Sequence, residues 1–114
     1  MQAAGVSLSE QGGWLTLRLE GQAGMEAAEL LQQRLQAAAP GQSLAIDWGP
    51  AEHVHGSVLQ VLLAFRNSLV QRGLAVAVIR DNPSVREYLR LSGLGQYFPA
   101  PADAPEPSSR GSHG

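Results

Sequence analysis

Leu74 to Ile79 is an unbroken apolar run, LAVAVI, set between two segments of helical periodicity. A short strand without polar alternation, entered from one helix and left into another, has the pattern of a parallel strand buried on both faces. It confines the chain to α/β architectures, because parallel neighbours need crossover connections and helices supply them. A similar step lies upstream. Ser43 to Trp48, SLAIDW, follows a helical segment and puts Leu44, Ile46 and Trp48 on one face, Ala45 and Asp47 on the other.

The remaining elements follow from the same periodicities. VSLSEQGGWLTLRLEG reads as a hairpin: Val6 and Leu8 alternate with serines, Gly12 and Gly13 turn the chain, and Leu15, Leu17 and Leu19 alternate with Trp14, Thr16 and Arg18. Ala27, Ala28, Leu31, Leu35 and Ala38 recur at helical spacing; Glu26 and Glu29 suit the positive end of that helix, and Pro40 and Gly41 stop it. The loop GPAEHVHG leads to a second helix, from Ser57, read as its N-cap, to Gly73, its C-terminal cap. A third helix has Asn82 as N-cap, Pro83 at its first position and Gly93 as its stop. The order β-β-α-β-α-β-α predicts a single α/β domain over residues 1–98: a mixed β-sheet with an N-terminal β-hairpin and parallel β-α units, the helices packed on the sheet. Residues 99–114 are rich in proline and small polar residues and are expected to be disordered. The closing Arg110–Gly114 stretch is open between a native end and an appended remnant.

Composition removes several kinds of chemistry. All eight basic residues are arginine, so no lysine can serve a phosphate loop or a Schiff base, and with no cysteine there is no thiolate chemistry, disulfide or cysteine metal site. A formal net charge of −2 gives no pull toward nucleic acid. No signal-like N-terminus and no apolar run long enough for a bilayer are visible, so the expectation is a soluble, cytoplasmic chain.

Four stretches together resemble the STAS domain family, named for sulphate transporters and anti-sigma factor antagonists. They are LRLEGQAGMEAAELLQQRL with Gly21, Leu31 and Leu35; LAIDW ending in Asp47; HVHGSVLQVLLAF; and LAVAVIRDNPSVREYLRLSGLGQYF. The resemblance covers about Val6 to Phe98. It implies that the third stretch is the family's switch loop, where regulatory members carry an aspartate followed by a phosphorylated serine or threonine. Here those two positions hold His55 and Gly56. A second acidic position holds Gly24, and a frequent threonine three residues on holds Ala27. The loop resembles a phosphorylation switch that has lost its chemistry, with no acceptor at Gly56 and only Ser57 as a displaced candidate.

Read without the resemblance, the loop has bland alternatives. His53 and His55 are two residues apart and could share a metal, but structural zinc sites use four protein ligands and catalytic ones three, and only Asp47 and Glu52 lie nearby in sequence. No metal and no cofactor is expected. Ser57 beside His55 lacks a nucleophile-elbow motif, so no catalytic residue is expected and Ser57 is read as a cap. Gly93-Leu94-Gly95 follows a helix and is no dinucleotide fingerprint. Arg86 and Arg90, one turn apart, could hold a phosphate or form a solvated face. The second helix has two adjacent apolar stripes, Val58, Leu62, Phe65 and Leu69, then Leu59, Leu63 and Val70, which serve either deep burial or docking.

The expected function is therefore a non-catalytic regulatory protein–protein interaction module resembling an anti-sigma factor antagonist. Its partner-binding residues are expected to be His53, His55, Gly56, Ser57, Leu59 and Leu63, with Leu59 and Leu63 pointing outward. The partner is another protein, an anti-sigma factor or serine kinase, or else the ATPase of a transporter. The alternatives are a small STAS subunit of a lipid ABC transporter complex and a small-anion or nucleotide sensor. Neither nucleic acid nor direct membrane insertion is expected.

Overall fold

The computed structural model describes residues 5–37 and 41–101; of the segments read above, Ala38 to Pro40 and the tail from residue 102 lie outside the described residues. Among the described residues the elements follow in the order β1 (Val6–Gln11), β2 (Trp14–Leu19), β3 (Gly21–Ala23), α1 (Met25–Ala37), β4 (Ser43–Asp47), β5 (Ala51–Val54), α2 (Gly56–Gln71), β6 (Val76–Arg80), α3 (Pro83–Ser92) and a 3₁₀ turn (Gly95–Tyr97).

The hairpin forms as its pattern predicts. β1 and β2 pair antiparallel with Gln11 opposite Trp14, and Gly12 and Gly13 both take positive φ, the two-residue turn whose twist matches the strands it joins. β2, β4 and β6 are parallel neighbours, so the main sheet is mixed, in the order β1-β2-β4-β6. Leu15, Leu17 and Leu19 are buried while Arg18 is exposed, which places a core on one face and a wetter surface on the other. The helices fill the core face. α1 contributes Ala27, Ala28, Leu31 and Leu35, and α2 contributes Val58, Leu59, Leu62 and Leu69. Each fully buried leucine is worth roughly 1.5–3 kcal/mol of transfer free energy.

Two expectations are corrected. The first concerns β6, which lies at an edge of the sheet and is not covered on both faces. Val78 is buried, but Ile79 is 49% exposed, at a register shift where Asp47 pairs with Arg80. An apolar run has no period, so it cannot say on which side a neighbour is missing. The second concerns the loop after β4, half of which is a strand. β5 pairs in parallel with β3 to form a separate two-stranded sheet, Gly21 opposite Ala51 and Ala23 opposite Val54. Gly21 takes a positive φ of 62° where the chain leaves the main sheet for the small one, a bend that favours glycine.

The last turn closes the domain. Phe98 and Trp48 are fully buried and meet edge to face, ring centroids 5.8 Å apart. Among the described residues, no helix is long and apolar enough to cross a membrane.

Candidate partner-binding site

The surface around the start of α2 is assembled by three contacts. The backbone N–H of His55 donates to the carbonyl of Ala23 at 2.8 Å, which extends the β3–β5 pairing to the end of the loop. Gln22 donates to the carboxylate of Glu52 at 3.3 Å across the same two strands. The side chain of Asn82 then reaches across from α3.

Asn82 uses both ends of its amide. Its Oδ1 accepts the backbone N–H groups of Ser84 and Val85, capping α3 as expected, with Pro83 inside the first turn and Gly93 at the C-terminal end. Its Nδ2 donates to the carbonyls of Trp48, Gly49 and Ala51. Asn82 is buried. One amide thus fixes the β4–β5 turn to the N-terminus of α3. Beside it, Asp81 accepts the Trp48 indole N–H at 2.9 Å and a two-pronged contact from Arg86. Partial burial alone would raise the Asp81 carboxyl. The hydrogen bonds from Arg86, Trp48 and the Asn82 backbone, with the Arg86 charge, outweigh it and hold the group below its ordinary value.

The start of α2 departs from the expected cap. Ser57 lies inside the first turn, and the N-cap is His55, in an extended conformation. Its Nδ1 accepts the Ser57 backbone N–H at 3.0 Å and lies 2.8 Å from the Ser57 hydroxyl. A backbone N–H can only donate, so in the neutral ring the proton sits on Nε2 and the Ser57 hydroxyl donates to Nδ1. An imidazole nitrogen does here what a serine or aspartate oxygen does at most helix starts. His53 and His55 are both exposed, on either side of buried Val54.

The chemistry available at this surface is limited. Ser57 and His55 touch, yet Nδ1 is occupied by the cap, and among the described residues no hydrogen bond orients the ring from Nε2. Among the described residues, no three of His, Cys, Asp and Glu come together to hold a metal ion. The N–H groups of Ser57, Val58 and Leu59 are all engaged by His55, which leaves little for an incoming anion. Arg86 and Arg90 are paired, with Asp81 at 3.0 Å and with Glu87 at 2.6 Å.

Leu59 and Leu63 do not point outward. Leu59 is 0% exposed in the core, and Leu63 is half-buried against it. Most of the two stripes of α2 forms one broad covered arc, because both the sheet and α1 lie against this helix; Val70, near its C-terminal end, is exposed. The residues that are exposed near the loop come from elsewhere: Met25 at the start of α1, two residues beyond the Ala23 that holds His55, and Tyr88 on α3, whose hydroxyl lies against Gly56. Tyr88 and Leu91 flank the buried Val85–Leu89 stripe of α3, and this extra apolar flank was the available sequence signal.

A mixed sheet begun by an antiparallel strand, followed by parallel β-α steps and a tethered loop at the start of the second helix, is the architecture of a STAS domain. The STAS_2 family model, described as "Mlab, STAS domain", matches residues 6–99, and the chain belongs to this family. Among solved structures it is similar to an anti-sigma factor antagonist from Mycobacterium paratuberculosis, with a TM-score of 0.71 at 25% identity over 83% of this chain and 82% of the other. It is also similar to the Bacillus cell fate determinant SpoIIAA in its phosphorylated form, with a TM-score of 0.66 at 18% identity over 89% and 92% of the two chains. The anti-sigma factor antagonist SpoIIAA in its unphosphorylated form gives 0.63 at 14% over 75% and 82%. No match to a curated protein sequence was found.

Proposed function

We propose that this chain is a non-catalytic, cytoplasmic regulator that works by binding another protein through the loop of His53, His55, Gly56 and Ser57, in the manner of the anti-sigma factor antagonist it resembles. The observation that carries the reading is the loop itself. Its two histidines are exposed, Gly56 and Ser57 are half-buried, and the loop is tied down by β3 and by Asn82 and closed at its tip by the His55 cap. A loop held in place in this way is suited to recognition. Gly56 offers no hydroxyl, so binding would proceed without phosphorylation at that position.

A photoreactive amino acid placed at His53 tests this in the native cell, with Ser7 on the open sheet face as control. The reading expects a single protein crosslinked from position 53 and not from position 7. Equal crosslinking from both positions, or none from 53, overturns it. A second reading, a subunit of a lipid-handling ABC transporter, is favoured by the same Gly56, since a constitutive subunit needs no switch. The identity of the captured protein, an anti-sigma-class kinase or a transporter ATPase, separates the two. In a parallel assay, incubation with an anti-sigma-class kinase and ATP is expected to leave the intact mass unchanged; a stoichiometric phosphate on Ser57 would show a displaced switch.

A further inference from the structure

Gly56 opens α2 on a backbone that any residue adopts, without positive φ. At such a position alanine is ordinarily favoured over glycine, because it lowers the entropy of the unfolded chain. Space argues the other way. A Cβ at position 56 would stand 2.7 Å from the Tyr88 hydroxyl oxygen, well inside contact distance, but 3.8 Å from the ring carbon that bears it. The obstacle is therefore one atom, the phenol oxygen. α3 cannot easily withdraw it, since Val85 and Leu89 are buried and Asn82 anchors the helix start. Tyr88 as a residue is 44% exposed, so the side chain alone has somewhere to go. Among the described residues the hydroxyl makes no hydrogen bond, so its position against Gly56 is one of packing, with the oxygen left available to an outside donor or acceptor.

We infer that Tyr88 and Gly56 form a complementary pair, in which the phenol of α3 fills the place a side chain at position 56 would take. Tyr88 then sets which side chain stands over the start of α2. A protein docking there meets a phenol hydroxyl and the Nε2 side of an imidazole, and no side chain from position 56. The relevance to docking rests on the function proposed above; the pairing itself can be read without any partner.

The test uses Gly56→Ala in two backgrounds, native and Tyr88→Phe, followed by thermal unfolding and by nuclear Overhauser contacts between the ring at 88 and residue 56. The native protein should show the contact to Gly56. With Tyr88 present, Gly56→Ala should displace the ring and weaken that contact several-fold. With Tyr88→Phe, the same change should keep the ring in place and raise the melting temperature by several degrees more than it does in the native background. Equal temperature shifts in the two backgrounds, or a ring that stays put in Gly56→Ala, overturn the pairing. If the pairing holds and the crosslink from position 53 is absent, the docking reading fails alone.

Discussion

α2 and α3 begin differently. α3 is capped by Asn82, buried, with both ends of its amide committed and its Nδ2 holding the β4–β5 turn. α2 is capped by His55, exposed, with one ring nitrogen committed to its own helix and the other without a hydrogen bond among the described residues. A cap that also ties elements together belongs to the framework. At His55 the backbone also ties to β3, but the side chain serves only its own first turn, and it sits where the proposed partner docks.

The contrast can be broken by substitution. The largest loss is expected beneath the exposed cap, where Leu59→Ala empties a fully buried site and should cost about 2–5 kcal/mol in denaturant unfolding. A cost near zero would return Leu59 to the surface. Asn82→Ala should cost about 2–4 kcal/mol, the sum of a lost cap and carbonyls left unsatisfied near the core. His55→Ala should cost only about 0.5–1 kcal/mol, with the melt still cooperative, because water can replace the imidazole at an exposed helix start. If His55→Ala were as damaging as Asn82→Ala, the distinction between framework cap and surface cap would fail.

A smaller effect sharpens the framework side. The Asp81 carboxyl titrates below its ordinary value in the folded protein, so its contribution is fully present above the ordinary value of 3.8 and is lost as pH falls through the lower folded value. Stability measured from pH 5 downward should therefore fall less steeply in Asp81→Asn than in the native chain. Identical slopes would show that the Arg86 and Trp48 contacts do not survive in solution.

The same two helix starts show what the sequence could and could not reveal. Asn82-Pro83 with a glycine after the last turn is a pattern in which each residue has one favoured place, and α3 was legible from it. At α2, serine is the usual capping residue and histidine a rare one, so the pattern points to Ser57, whereas the imidazole two residues earlier makes the bond. β3 and β5 were illegible because three and four residues are too few to establish a period, and Gln22, Glu52 and His53 carry no strand signal. Periodicity gives the width of an apolar arc but not the number of neighbours that cover it, so the burial of Leu59 is not legible from its spacing. Tyr88 and Gly56 lie far apart in the chain, and only the packing of α3 across the small sheet brings them together.

The small β3–β5 sheet has a thermodynamic consequence. Holding a residue's backbone in one conformation costs roughly 1–2 kcal/mol. For Ala51 to Val54 that cost has already been met in folding, by pairing with β3 and by the Asn82 bridge. A protein that docks against this loop need not order it, so its recognition should be close to rigid-body, with a small entropy penalty and an association rate set by encounter and orientation instead of by loop rearrangement.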